Sequence, residues 1–126
     1  MAEGTRRYTD GRGFEKKAGY SRAVRRGSRI HVSGTTAADD VGDTYAQALQ
    51  ALERALAAVT ELGGTKNDVV RTRLMLAPDA DWHAAARAHV QLLGSVAPAN
   101  TMLYVAGLIG DGYLVEVEVE AEVESS

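Results

Sequence analysis

The residue types able to do chemistry in this chain are few. Cysteine is absent, which removes a thiol nucleophile and any disulfide framework. His31, His83 and His89 share no metal-ligand spacing; His83 and His89 lie six apart, which puts them on different faces of a helix. Lone histidines of this kind are structural or exposed, so no metal is expected. His31, Ser33 and Asp68 do not make a nucleophilic triad by spacing, and no glycine-rich phosphate loop occurs. What remains is carboxylates, arginines and tyrosines. A Val-Glu alternation near the end carries Glu116, Glu118, Glu120, Glu122 and Glu124. Such a carboxylate can act as a general acid or base or orient a water, or it can be one rung in a row of exposed or ion-paired glutamates.

The elements that must position these groups follow from periodicity. Ser21 to Arg26 and Ser28 to Ser33 predict two strands around a turn at Gly27, with Ile30 and Val32 facing one way and Arg29, His31 and Ser33 the other. Asp43 to Leu62 predicts a long helix, with Ala48, Leu49, Leu52, Ala55, Leu56 and Val59 on one stripe. Asp43 or Thr44 would cap it and Gly63-Gly64 would end it. Asp68 to Ala77 predicts a strand with Val70, Thr72, Leu74 and Leu76 on one face and Arg71, Arg73 and Met75 on the other; Pro78 and Asp79 break it. Asp81 to Leu93 predicts a second helix. Thr101 to Val105 and Tyr113 to Val123 predict the last strands, separated by Gly110-Asp111-Gly112. Residues 1–18 are polar, broken by Gly11 and Gly13, and read as an arm or one short strand; 19–126 form one domain. The order predicts an α+β fold with two helices packed on one face of a mixed sheet. The other face is left dense in opposite charge.

With 126 residues, 45% hydrophobic and 25% charged, the chain suits one globular domain. No apolar run reaches the ~20 residues of a membrane span, the first ten residues lack a signal peptide's apolar stretch, and a cytoplasmic address follows as the default. A net charge of −3 makes nucleic acid an unlikely partner by bulk attraction. The charge is polarised, however: Arg6, Arg7, Arg12, Lys16, Lys17, Arg22, Arg25, Arg26 and Arg29 crowd the first thirty residues. Either the two ends of the chain meet and neutralise each other, or the basic segment is an arm for RNA.

Six segments in register carry a resemblance. Gly19-Tyr20-Ser21-Arg22-Ala23-Val24-Arg25 is similar to a GPYSQAV segment, and Ile30 to Thr35 to a strand ending in V-S-G-Q. Asp68 to Leu74 resembles DDVVKTTVYL, and Asp81-Trp82 stands where an Asp-Phe pair opens a helix. Pro98-Ala99-Asn100-Thr101 aligns with Pro-Ala-Arg-Ser/Thr, and Val115-Glu116-Val117-Glu118 with VEIEA. Together they resemble the Rid (YjgF/YER057c/UK114, "endoribonuclease L-PSP") family over nearly the whole chain. The resemblance implies a chorismate-mutase-like fold and a homotrimer around a central β-barrel, with three clefts between subunits. Deaminating members hydrolyse imines and enamines without a cofactor. Their arginine clamps the substrate carboxylate, a glutamate and a backbone carbonyl position the attacking water, and a tyrosine encloses the pocket.

Carried onto this chain, the resemblance implies Glu116 and Tyr20 as catalytic groups, although the repeating Val-Glu pattern leaves Glu118 as an alternative to Glu116. Ser33, Gly34 and Thr35 would line the cleft through backbone groups, Met102 would supply the carbonyl, and Asn100, Thr101 and Trp82 would contact substrate. Tyr104 and Tyr113 are further aromatics of the cleft or its rim. Asn100 stands in place of the arginine. An amide has no charge and cannot grip a carboxylate as a bidentate guanidinium does, so hydrolysis of 2-imino acids by the usual clamp is not expected. Arg71, Arg73 or Arg87 could supply a charge from elsewhere. Three functions stay open: an enzyme acting on an imine, enamine or related unsaturated metabolite; a non-catalytic trimer binding a metabolite or protein; and a ribonuclease or translation inhibitor.

Overall fold

The computed structural model describes residues 4–11, 14–40 and 42–124. Of the expected arm, residues 1–3, 12 and 13 lie outside these residues. Its described part holds strand β1 (Thr5–Tyr8) and a short helix α1 (Glu15–Ala18), more structure than its polar composition suggests. The chain continues through β2 (Ala23–Arg26), β3 (Arg29–Thr35), α2 (Thr44–Glu61), β4 (Val69–Leu76), α3 (Trp82–Leu93), β5 (Ala99–Tyr104) and β6 (Val115–Glu122). One six-stranded sheet runs in the order β1-β2-β3-β6-β4-β5. Among the described residues only β4 and β5 pair in parallel, and α3 is the crossover that a parallel pair needs.

Both long helices lie on one face. The side chain of Asp43 caps α2 by accepting from the Ala46 amide at 3.0 Å, which satisfies one of the four free N–H groups of a helix start. The alanine-rich inner stripe, Ala48, Ala51, Leu52, Ala55, Ala58 and Val59, is fully buried. It meets Ile30, Val32, Leu74, Leu76, Val115, Val117 and Val119 from the sheet. Small side chains on α2 let the helix sit close, and the β-branched row on β6 fills the space they leave.

The far end of α2 explains the N-terminal arginines. Arg6 Nη2 and Arg25 Nη1 both donate to the Leu62 carbonyl, at 2.7 and 2.8 Å. Positive charge there complements the helix macrodipole and satisfies a carbonyl the helix cannot. The basic segment is thus partly consumed inside the fold. The two ends also meet as strand neighbours: Arg29 pairs with Glu122 and His31 with Glu120 across β3 and β6, the latter pair with His31 Nδ1 3.9 Å from Glu120 Oε2.

Two bulges correct the simple alternation. On β4, Val69 pairs with Ala121 and Arg71 with Glu120, so Val70 is one residue too many. Val69 takes the inward place expected of Val70, and Val70 is turned out to solvent. On β3, Val32 pairs with Val119 and Thr35 with Val117, so Ser33 and Gly34 together face one residue of β6. The extra residue of a bulge reverses the parity of everything after it, and Thr35 therefore points into the core.

Candidate functional site

The β3 bulge and the start of β6 build the most chemically distinctive spot. Glu116 leaves β6 on the polar face, and its carboxylate lies over the Cα of Gly34; a Cβ there would overlap Glu116 Oε2. What Gly34 offers is room for that carboxylate rather than a special backbone conformation, since its φ is not in the left-handed region. Burial, and to a smaller degree the negative charge of Glu118, push the Glu116 carboxyl above the usual range, while Arg22 pulls the other way. A carboxylate whose proton affinity is raised is the better base. Glu118 is occupied differently: it accepts from Arg73 Nη1 at 2.5 Å, which makes it an ion-paired rung.

Arg22 is the unexpected member. It is buried, donates from Nη2 to the Gly34 carbonyl at 2.7 Å, and places Nη1 3.5 Å from Glu15 Oε2. Helix α1 exists to deliver that glutamate, itself buried. The Tyr20 ring, partly exposed, lies 5.7 Å from the Arg22 guanidinium carbon, within cation–π reach. Ser33 Oγ donates to the Ser21 carbonyl and Thr35 Oγ1 to the Ser33 carbonyl, both at 2.7 Å, fastening the bulge. Tyr20, Ser33, Gly34 and Glu116 are thus brought together. The residue that sequence reasoning missed here, Arg22, had a signal: it stands where the GPYSQAV segment has glutamine.

The other expected residues form a second group. Thr72, fully buried and facing the helices, is the register partner of Asn100, as Leu74 is of Met102 and Leu76 of Tyr104. Cross-strand partners share a face, so Asn100, Met102 and Tyr104 face α3. With Leu76, Trp82, Ala86 and Leu103 they line a cleft of about 480 Å³. Asn100 Nδ2 donates to Thr72 Oγ1 at 3.0 Å, and Thr72 Oγ1 lies 2.8 Å from His89 Nε2. Burial lowers the His89 pKa, which favours the neutral imidazole over the charged one. The Tyr104 hydroxyl donates to the Ala80 carbonyl at 2.9 Å. Thr101 lies on the opposite, polar face, where its hydroxyl accepts from Arg71 Nη2 at 2.7 Å.

His31 and His83 are exposed, as lone histidines usually are; His89 is the one drawn into a polar network. Among the described residues no three His, Asp or Glu side chains gather where a metal could sit, and no helix is long and apolar enough to cross a membrane. Gln47 reaches across from α2 to hold the segment before β6: its Nε2 donates to the Gly112 carbonyl at 3.1 Å and its Oε1 accepts from the Leu114 amide at 2.8 Å. That loop delivers Glu116, and Tyr113 lies half-buried within it.

Residues 12–123 match the family model described as Endoribonuclease L-PSP. An uncharacterized protein of Streptomyces coelicolor is 42% identical over 95% of this chain and 93% of its own. A crystal structure from Mycobacterium tuberculosis, of a member of the YjgF/YER057c/UK114 family, superposes with a TM-score of 0.88 at 39% identity, covering 94% of this chain and 99% of that one. A Pseudomonas aeruginosa protein of unknown function superposes with a TM-score of 0.85 at 26% identity, covering 95% and 93%.

Proposed function

The chain belongs to the endoribonuclease L-PSP (YjgF/YER057c/UK114) family, and on that premise we propose that it is a cofactor-independent hydrolase of imines or enamines, acting in clefts between the subunits of a cytoplasmic homotrimer. The observation that carries this reading is Glu116: a half-buried carboxylate with raised proton affinity, seated over a glycine and flanked by a buried arginine. In the proposed reaction Glu116 takes a proton from water as its oxygen adds to the C=N carbon. The proton passes to nitrogen, the carbinolamine collapses, and ammonia leaves behind a carbonyl. An enamine first tautomerises to the imine by protonation at its β-carbon and loss of a proton from nitrogen.

The trimer enters because one chain holds the site in two halves. Glu116 and Asn100 belong to opposite faces of the sheet, with β4 between their strands. A neighbouring copy offering its β5 edge to the Glu116 face would close the site, with Tyr20, Ser33, Gly34 and the backbone of Thr35 on one wall and Asn100, Met102 and Trp82 on the other; Thr101, turned to the polar face beside Arg71, stays off that second wall. Asn100 supplies no charge, so a substrate without a carboxylate is favoured over a 2-imino acid.

A coupled assay that generates 2-aminoacrylate in situ, run beside carboxylate-free imines, tests this. Turnover of the latter, lost in Glu116→Gln, is expected. Failure to accelerate any imine, with wild type and Asn100→Arg alike, would leave a non-catalytic binding trimer. The ribonuclease reading is disfavoured because Arg6, Arg22 and Arg25 are engaged internally, and salt-sensitive RNA binding would revive it.

A further inference from the structure

We propose that the cleft between α3 and β5 takes a neutral ligand with an apolar body and an N–H group directed at Asn100 Oδ1, and that Thr72 and His89 are the positioning residues that set this polarity. The inference deepens the reading above by naming the class of molecule the site accepts, and it rests on that reading only in taking Asn100 to face substrate.

The argument is an account of donors and acceptors. Asn100 is exposed on the edge strand, yet its amide nitrogen is held by Thr72 Oγ1. A threonine hydroxyl that accepts from Asn100 keeps its own proton to donate. The partner in reach is His89 Nε2 at 2.8 Å, whose lone pair is free when the imidazole is neutral with its proton on Nδ1. With that tautomer donation runs from Asn100 Nδ2 to Thr72 Oγ1 and on to His89 Nε2, and it leaves the Asn100 carbonyl oxygen for a ligand. The second polar group on the wall, the Tyr104 hydroxyl, has spent its proton on the Ala80 carbonyl. Among the described residues no lysine, arginine or histidine lines the cleft.

A carboxylate seated against Asn100 would lose its water and meet a carbonyl oxygen with no cation on the cleft wall beside it to offset it. A neutral amide, enamine or imine N–H would find an acceptor. The body of such a ligand has Trp82, Met102 and Leu103 to pack on, with Trp82 and Leu103 exposed in the isolated chain, and the cleft is within the size range of small-molecule sites. For the proposed hydrolase this means imines derived from amines or amides, so the reaction that supplies the substrate is oxidation or elimination at an uncharged amine-bearing carbon.

The test is calorimetric or ligand-observed NMR titration of the full-length protein with phenylacetamide and phenylacetate, two probes of nearly one shape. Binding of phenylacetamide about 10-fold or more tighter than phenylacetate is expected, equivalent to one hydrogen bond made against one repulsion. Asn100→Asp, at an exposed position, should widen the gap, and Asn100→Leu should erase it. Thr72→Ser should keep the preference and Thr72→Val should lose it by freeing the amide to rotate. If Thr72→Val does not fold, His89→Leu replaces it. Equal or tighter binding of phenylacetate, no saturable binding of either probe, or a preference that survives Asn100→Leu would overturn the inference. A clear amide preference without any imine turnover would uphold it while removing the hydrolase reading.

Discussion

Glu116 and Asn100 project from opposite faces of one sheet. Glu116 is the register partner of Met75 on the polar face, whereas Asn100 pairs with Thr72, which is buried under the helices. Their strands are separated by β4, a gap of roughly 10 Å at the usual strand spacing. Two groups so placed cannot hold one small molecule within a chain. If both act on substrate, each site draws them from different copies.

Subunit mixing follows from that geometry. Glu116→Gln and Asn100→Asp homotrimers are each expected to lose most of their turnover. Co-refolded in equal amounts, they should regain roughly one quarter of wild-type sites, because each heterologous interface then has an even chance of an intact residue from either side. Steady-state rates of the mixed sample check this; no recovery would place both residues' contributions in the same chain.

Gly34→Ala separates stability from activity. The added Cβ meets only the far end of the Glu116 side chain, which can swing aside, so the melting temperature should change little. The carboxylate would leave its position over the bulge, and turnover should fall by about 10²-fold or more, the usual worth of a general base. A variant that melts far lower would instead assign Gly34 a structural role.

The two shifted groups predict opposite slopes of stability against pH. Glu116 has its folded pKa raised from 4.5. Its contribution is fully present below that value and is lost as pH rises through the folded pKa, because the native state binds more protons there. His89 has its folded pKa lowered from 6.5, so its contribution is fully present above that value and is lost as pH falls through the folded pKa. Urea denaturation across pH 4 to 8 should show Glu116→Gln removing the first dependence and His89→Gln the second.

Arg6 and Arg25 share the Leu62 carbonyl, so each can cover for the other. Arg6→Ala or Arg25→Ala alone should cost about 0.5–1 kcal/mol, in the range of a cation at a helix C-terminus. The double variant should cost more than the sum, because it leaves a partly buried carbonyl without a partner. Additive losses in chemical denaturation would argue that the two bonds act independently.

Much of this was legible in one chain of letters. The alternation of Val115, Val117 and Val119 with Glu116, Glu118 and Glu120 assigned strand β6 and its two faces, and the Ala48–Leu52–Ala55–Val59 stripe assigned α2 and its buried side. Six motifs in order named the family. Val70 was misread because a bulge is a one-residue insertion, and period-two patterning has no way to register it. Helix α1 escaped notice because four residues carry too little periodicity.

What the sequence determined by itself was local: which segments are strands or helices, and which side of each is apolar, since those follow from neighbours a few positions apart. What only the tertiary structure decided was who meets whom. Arg22 finds Gly34 and sits beside Glu116, two arginines converge on Leu62, and His89, Thr72 and Asn100 line up across α3, β4 and β5. Those contacts join residues 12 to 94 positions apart, and they exist because the strand order β3-β6-β4-β5 sets together segments that no pattern along the chain relates.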